Sequence, residues 1–104
     1  MTDINARIAV KKGWTIRENE AWVMWQDERG MAQPLPQYTT DWRLAGGLLE
    51  EMATAGLEPD LRYDDSLGWM LDWQPQTTTS FGMRVSADTP QMAIALAWLE
   101  WSER

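Results

Sequence analysis

The stretch TTDWRLAGGLLEEMATAGL (39–57) has the pattern of an amphipathic helix long enough to organise the chain around it. Thr39, Thr40 or Asp41 can cap its first turn, because a short polar side chain there accepts a hydrogen bond from a free backbone N–H. Gly56 is a typical helix end. At 100° per residue, one face of this helix collects the apolar side chains. They are Trp42, Ala45, Leu48, Leu49, Met52 and Ala53.

Three strands are predicted before this helix, and a short first helix, capped by Asp3 and ended by Gly13, precedes them. The strands span 14–17, 21–25 and 31–38. Alternation in the second strand places large apolar side chains on both faces, so we expect other layers to cover both sides of it. Two prolines make the third segment an edge strand or an extended polyproline-like stretch.

Three further strands are predicted after the helix, over 57–63, 68–73 and 81–85, followed by a final helix that opens at Asp88 or Thr89. The strand side chains expected to face the core are Trp69, Leu71, Trp73, Phe81, Met83 and Val85. The element order is therefore α-β-β-β-α-β-β-β-α. It predicts a single α+β domain over 1–104, with an antiparallel sheet and helices packed on it.

The chain has 104 residues, which is the size of one domain, and contains no cysteine and no histidine. Disulfide frameworks, thiolate zinc sites and histidine-based triads are therefore excluded. The first ten residues lack the cationic and apolar regions of a signal peptide, and the longest apolar run is too short to cross a bilayer. We expect a protein of the cytoplasm, with no membrane partner.

The net charge of −7 disfavours direct binding to nucleic acid, because no separate basic patch stands out. Much of this charge lies in one segment, 50–65, where six carboxylates face a single arginine and the net charge is −5. The segment includes Glu50, Glu51, Asp64 and Asp65. It is either a solvated face that keeps the protein soluble or a surface that meets a basic partner.

No group of residues has the spacing of a catalytic or metal site. The carboxylates at 60–72 do not follow the alternation of an EF-hand loop, and turn formation explains Asp64 and Asp65. The serines have no histidine to activate them, and Gly46–Gly47 lies inside a helix, so it is no phosphate loop. We expect no enzyme activity, no cofactor and no metal.

Eight tryptophans in so short a chain are unusual. Each buries a large area, so a few can fill much of a small core. Trp14, Trp22, Trp42, Trp69 and Trp73 lie on faces predicted to point inward, and we interpret them as core residues. Trp25 points away from Trp22 on the same strand and stays undecided.

The final helix carries two apolar stripes. Met92, Ala95, Leu96 and Leu99 form the expected core stripe, whereas Ile94, Trp98 and Trp101 lie on another face. Together they span an arc of about 220°, wider than a helix on one sheet requires. Either the helix is buried on two sides, or the second stripe binds a partner. A homodimer through Trp98 and Trp101 is one such arrangement.

Several motifs resemble the phage ABA sandwich domain, a family of small phage and prophage proteins. These are GWT (13–15), PLPQYTTDW (34–42) and SADTPQMAIALAWL (86–99), and the resemblance covers most of the chain. It implies a small helix–sheet–helix domain without an assigned activity. The tryptophans near the end of the final helix, Trp98 and Trp101, depart from the aliphatic residues that the family leads us to expect.

Two functional hypotheses follow. In the first, the chain is a phage-encoded acidic protein that binds and modulates a host protein, for example as an anti-defence inhibitor of the anti-CRISPR type. The host protein would be basic and could itself bind nucleic acid. In the second, the chain is a self-associating structural protein. The predicted partner-binding residues are Glu50, Glu51, Asp64, Asp65, Ile94, Trp98 and Trp101.

Overall fold

Three helices and two antiparallel sheets make up the computed structural model, which describes residues 3–74 and 83–103. The elements are α1 (Ile4–Lys11), β1 (Thr15–Glu18), β2 (Val23–Gln26), α2 (Trp42–Thr54), β3 (Asp60–Asp64), β4 (Gly68–Trp73), β5 (Met83–Ala87) and α3 (Pro90–Ser102). The predicted α+β class is confirmed, with the order α-β-β-α-β-β-β-α. Phe81 and the polar tract 76–80 lie outside the described residues.

The predicted helix caps are present. Asp3, Asp41 and Thr89 accept hydrogen bonds from the backbone N–H groups of Asn5, Arg43 and Met92. Such a bond satisfies one of the free donors at a helix start. At the other end, Gly13 and Gly56 take φ values of 97° and 87°, the left-handed conformation that closes a helix.

The strands form two sheets rather than one. β1 pairs with β2, and β3, β4 and β5 form a separate sheet in that order. The predicted third strand, 31–38, is absent, and its only ladder contact is a bridge between Gln26 and Ala32. Pro34 and Pro36 explain this result, because they cannot donate to a ladder.

Helix α3 is the centre of the core. The sheet formed by β4 and β5 packs on one side of it, and α1 and α2 pack on others. Six of its residues are buried: Ala93, Ile94, Ala95, Ala97, Trp98 and Leu99. A helix that is apolar nearly all round must be covered nearly all round, so the wide apolar arc reflects burial on two sides.

The inner face of the three-stranded sheet closes the core against α3. Leu71 and Trp73 of β4 are buried, and Leu71 lies between Leu61 of β3 and Val85 of β5 in the register. The predicted inward direction of Leu71, Trp73, Met83 and Val85 agrees with this arrangement, since all four belong to or pack against the core.

Two tryptophans that we predicted to be core residues are exposed. Trp42 is 55% exposed and Trp22 is 49% exposed. Trp42 occupies the first turn of α2, whereas the buried residues of this helix begin one turn later at Ala45. Trp22 precedes β2 in a two-stranded hairpin, so the expectation that this strand is covered on both faces is wrong.

Helix α1 is fixed to the loop before α2 by a buried polar pair. The Asn5 amide donates to the Thr39 hydroxyl at 3.2 Å, and its oxygen accepts from the Thr39 backbone N–H at 3.0 Å. Both side chains are buried, so each polar group gains a partner that replaces water. This pair sets the spacing between α1 and α2.

The molecule is elongated, with principal extents of 48 × 31 × 24 Å and a radius of gyration of 15.0 Å. A compact domain of this length has a radius of gyration of about 13 Å.

Within residues 3–74 and 83–103, no helix is long and apolar enough to span a membrane.

Candidate functional site

Four of the exposed large apolar side chains lie in or beside the β1–β2 hairpin. We call Ile16, Trp22, Val23 and Met31 the hairpin surface; their exposed fractions range from 46% for Ile16 to 60% for Val23 and Met31. All four residues of β1 are exposed, and among residues 3–74 and 83–103 β1 pairs only with β2, so no described strand covers its other edge. The register places Ile16 and Val23 on one face together with Trp25, whereas strand alternation points Trp22 to the other face. Exposed apolar side chains beside an open strand edge are typical of a protein-binding surface.

Two turns hold the hairpin surface in place. The Asn19 side chain accepts from the backbone N–H groups of Ala21 and Trp22, at 2.8 and 3.1 Å. The Asp27 side chain accepts from Arg29 and Met31, both at 2.9 Å. The hydrogen bond from the Met31 backbone is the main reason why the pKa of Asp27 lies below its ordinary value. The backbone positions of Trp22 and Met31 are therefore fixed before any partner arrives.

An apolar groove continues the hairpin surface toward α1. It has a volume of about 390 Å³ and lies between Val10 on α1 and Ile16 and Trp25 on the hairpin. The Arg7–Glu103 ion pair, at 2.5 Å, stands at its border. The sequence did not decide whether Trp25 is a core residue. In the structure it lines this groove and is partly buried.

The predicted acidic surface is divided between two layers of the fold. Glu50 and Glu51 lie on α2, where Glu51 accepts a hydrogen bond from Lys12 of α1 at 2.5 Å. Asp64 instead organises the β3–β4 turn by accepting from the backbone N–H groups of Ser66 and Leu67. Asp65 lies in that same turn. The four predicted residues therefore belong to two separate elements, α2 and the β3–β4 turn.

The hypothesis that Ile94 and Trp98 face outward from the final helix is wrong. Ile94 is fully buried and Trp98 is only 5% exposed, because α1 and α2 cover the side of α3 that the sheet leaves free. Trp101 is half-buried and meets Trp98 edge to face, with ring centres 6.4 Å apart. A dimer that pairs Trp98 with its own mate would require the core to open.

The outer face of the three-stranded sheet carries a charge ladder. Asp72 on the central strand accepts from Arg84 at 2.6 Å and from Arg62 at 2.5 Å. The hydrogen bond from Arg84 is the main cause that holds the pKa of Asp72 below its ordinary value. Its carboxylate is thus neutralised by its neighbours.

Among the described residues, no group of three or more acidic side chains is placed to hold a metal ion.

A larger pocket lies on the helical side of the molecule, between α1, α2 and the loop before α2. Its volume is about 650 Å³, and Trp98 of α3 forms part of its wall. Trp14, Tyr38, Lys12 and Gly47 also line it. Sequence reasoning did not identify this pocket, although a glycine pair inside a helix is a local signal that backbone is being kept free of side chains.

Comparisons with protein-family models, with curated proteins and with solved structures find no match to this chain. The resemblance to the phage ABA sandwich domain therefore stays a prediction. The structure places α1 and α2 around α3, and α3 packs on the inner face of the three-stranded sheet, while Arg62 and Arg84 are exposed on the opposite face.

Sequence reasoning also missed the hairpin surface. It treated Trp22 as a core residue because alternation shows which side chains share a face, but not whether another layer covers that face. One available signal was the composition of β1, where Thr15, Arg17 and Glu18 surround Ile16 and indicate a solvated strand.

Proposed function

We propose that this chain is a non-enzymatic protein-binding domain that engages its partner through the hairpin surface. The observation that carries the proposal is the exposure of Trp22 and its apolar neighbours on a hairpin with an open edge. Tryptophan is a frequent hot-spot residue, because its large ring fills a pocket at little cost in conformational entropy. The two rigid turns lower the ordering cost further.

The charges around the hairpin surface favour a basic partner. Glu18 and Glu20 are exposed on the hairpin, and Asp27 and Glu28 follow β2. Only two arginines, Arg17 and Arg29, lie in the same stretch. The whole chain has a net charge of −7. Complementary charge speeds association and disfavours acidic competitors. The acidic residues of the hairpin thus replace the 50–65 segment as the predicted electrostatic contact.

Within this proposal, the chain is phage-encoded and acts in the cytoplasm of the host, where it binds and modulates a basic host protein. Inhibition of an anti-phage defence protein is the form of modulation that we favour. The support is the sequence resemblance, the acidic charge and the exposed apolar surface. A partner that binds nucleic acid would offer the positive charge that the hairpin requires.

The test compares two exposed tryptophans. Immobilised parent, Trp22→Ala and Trp42→Ala proteins are each incubated with a bacterial lysate, and the retained proteins are identified. Trp42 is the matched control, because it is as exposed as Trp22 but lies on α2. We expect a basic protein to be retained by the parent and by Trp42→Ala, and lost with Trp22→Ala.

The retained protein is then purified and its affinity measured at two salt concentrations. We expect Trp22→Ala to weaken the complex by about 2 kcal/mol or more. Reversal of Glu18 and Glu20 should slow association and flatten its salt dependence. The proposal is contradicted if the complex forms equally well with Trp22→Ala.

Self-association is a second candidate, favoured by the open edge of β1. Two copies could pair these edges antiparallel and cover Ile16 and Val23 against each other. Light scattering distinguishes the two: a dimer that Ile16→Lys converts to a monomer supports self-association. A parent that stays monomeric at high concentration rules it out.

A further inference from the structure

The pocket on the helical side, which we call the central pocket, has the size and walls of a small-molecule site. Its volume is about 650 Å³, within the range of roughly 300–1,000 Å³ that is usual for such sites. Tyr38 and Trp98 are 6% and 5% exposed, so their rings are fixed by the core. Trp14, which follows the end of α1, contributes a third aromatic ring.

One of the wall residues, Trp98, carries a buried donor without a partner. The indole N–H of Trp98 is buried and has no hydrogen-bond acceptor among residues 3–74 and 83–103. Buried polar groups in folded proteins nearly always have a partner, so this N–H is an exception. Tyr38 adds a second donor. Burial, assisted by Glu28 and Glu51, raises the pKa of Tyr38 to about 12, which keeps its hydroxyl protonated.

The charge of the pocket differs in sign from that of the chain. Three cationic side chains, Lys11, Lys12 and Arg43, line it together with the carboxylates Glu28 and Glu51. The local net charge is therefore +1, in a protein whose net charge is −7. Lys12 is committed to Glu51, but Lys11 and Arg43 form no ion pair with a described residue. These two cations are available to an anion.

We propose that the central pocket binds a small planar anion, an aromatic or heteroaromatic carboxylate. Its ring would lie against Trp14, the most accessible of the three aromatic side chains, where aromatic contacts are favourable. Its carboxylate would face Arg43 and Lys11, since guanidinium and carboxylate groups form charge-assisted hydrogen bonds. This site is distinct from the hairpin surface and does not depend on it.

The glycine pair of α2 supplies a matched test. Gly47 lines the pocket, and Gly46 does not. A Cβ added at either position meets no atom within 4 Å, so both accept a side chain at the first carbon. Both also lie in the interior of the same helix and gain helix propensity on substitution. Gly47→Leu should therefore fill the pocket, while Gly46→Leu controls for the change in the helix.

The experiment titrates ¹⁵N-labelled protein with 2-naphthoate and follows the tryptophan indole N–H signals by NMR. The neutral 2-naphthamide, which has nearly the same shape, is the control ligand. The Trp98 signal is assigned with Trp98→Phe. We expect 2-naphthoate to shift this signal in a saturable manner, with 2-naphthamide at least about tenfold weaker.

Gly47→Leu should weaken the binding of 2-naphthoate by about tenfold or more, and Gly46→Leu should leave it within about twofold. Arg43→Gln alters an exposed side chain and reports on the carboxylate even if Gly47→Leu does not fold; it should reduce binding of the acid to the level of the amide. The proposal is overturned if 2-naphthoate produces no saturable shift of Trp98. Equal affinity for acid and amide, or unchanged affinity in folded Gly47→Leu, overturns it as well.

Discussion

The Lys12 ammonium lies 5.4 Å from the centre of the Trp98 ring, and the same ammonium donates to Glu51 at 2.5 Å. Lys12 ends α1, Glu51 lies on α2 and Trp98 lies on α3, so one cation joins all three helices. The Lys12 side chain is 26% exposed, which limits the screening of these interactions by solvent.

Replacement of Lys12 by glutamine should lower the free energy of unfolding by about 1 kcal/mol, since a cation–π contact and a partly exposed ion pair are lost together. Lys11→Gln is the control: Lys11 is exposed and forms no ion pair with a described residue, so its loss should change stability by less than about 0.5 kcal/mol. Urea denaturation measures both. Equal effects of the two variants would contradict the bridging role of Lys12.

Trp98 and Trp42 should differ sharply in their contribution to stability. Trp98→Ala removes a ring that is 5% exposed and leaves a cavity in the core, at a cost of about 3–5 kcal/mol. Trp42→Ala removes a ring that is 55% exposed, and we expect a change below about 1 kcal/mol. Thermal and urea unfolding report the difference. If Trp42→Ala proves to be the more damaging change, the placement of α2 against α3 is wrong.

Deprotonation of Tyr38 should lower the free energy of unfolding at alkaline pH. Burial, with Glu28 and Glu51 adding to it, raises the pKa of Tyr38 to about 12, whereas an unfolded tyrosine titrates near 10. The unfolded state therefore loses its proton first, and the contribution of Tyr38 to stability is complete below about pH 10 and declines toward pH 12. The difference in phenolate absorbance between the parent and Tyr38→Phe should have its midpoint near 12. A midpoint near 10 would show that the hydroxyl is solvated.

Gly68 should be far less tolerant of substitution than Gly30. Both glycines have positive φ, 82° and 84°. A Cβ at Gly68 would lie 2.8 Å from the backbone oxygen of Ala87, whereas a Cβ at Gly30 meets nothing within 4 Å. Gly30→Ala should cost about 1 kcal/mol of backbone strain. Gly68→Ala adds a steric clash between β4 and β5 and should cost about 3 kcal/mol in total. Similar melting temperatures for the two variants would contradict the close approach.

Sequence reasoning succeeded where the structure depends on near neighbours in the chain. Ala45, Leu48 and Met52 are buried as their helical spacing predicts, and Asp41 caps the helix as expected. A cap or an amphipathic face is decided within one or two turns, so a single sequence carries the necessary information. The pairing of β3 with β4 through a short turn belongs to the same class.

The errors arose where distant segments meet. The two stripes of α3 were compatible with a partner or with burial on two sides, and only the positions of α1 and α2, both far earlier in the chain, decide between them. The same limit applies to the central pocket, whose wall joins Trp14 to Trp98. For the hairpin, the sequence could not show that no layer covers Trp22.

The central position of α3 also determines when the chain can fold during synthesis. Ile8 on α1 and Leu48 on α2 reach the core that α3 organises, so a nascent chain that stops before Pro90 has nothing to bury them against. Contacts between the first and last helices also close a loop of most of the chain, which slows folding. Until α3 is present, the apolar segments of α1 and α2 should therefore stay open to chaperones that bind such segments.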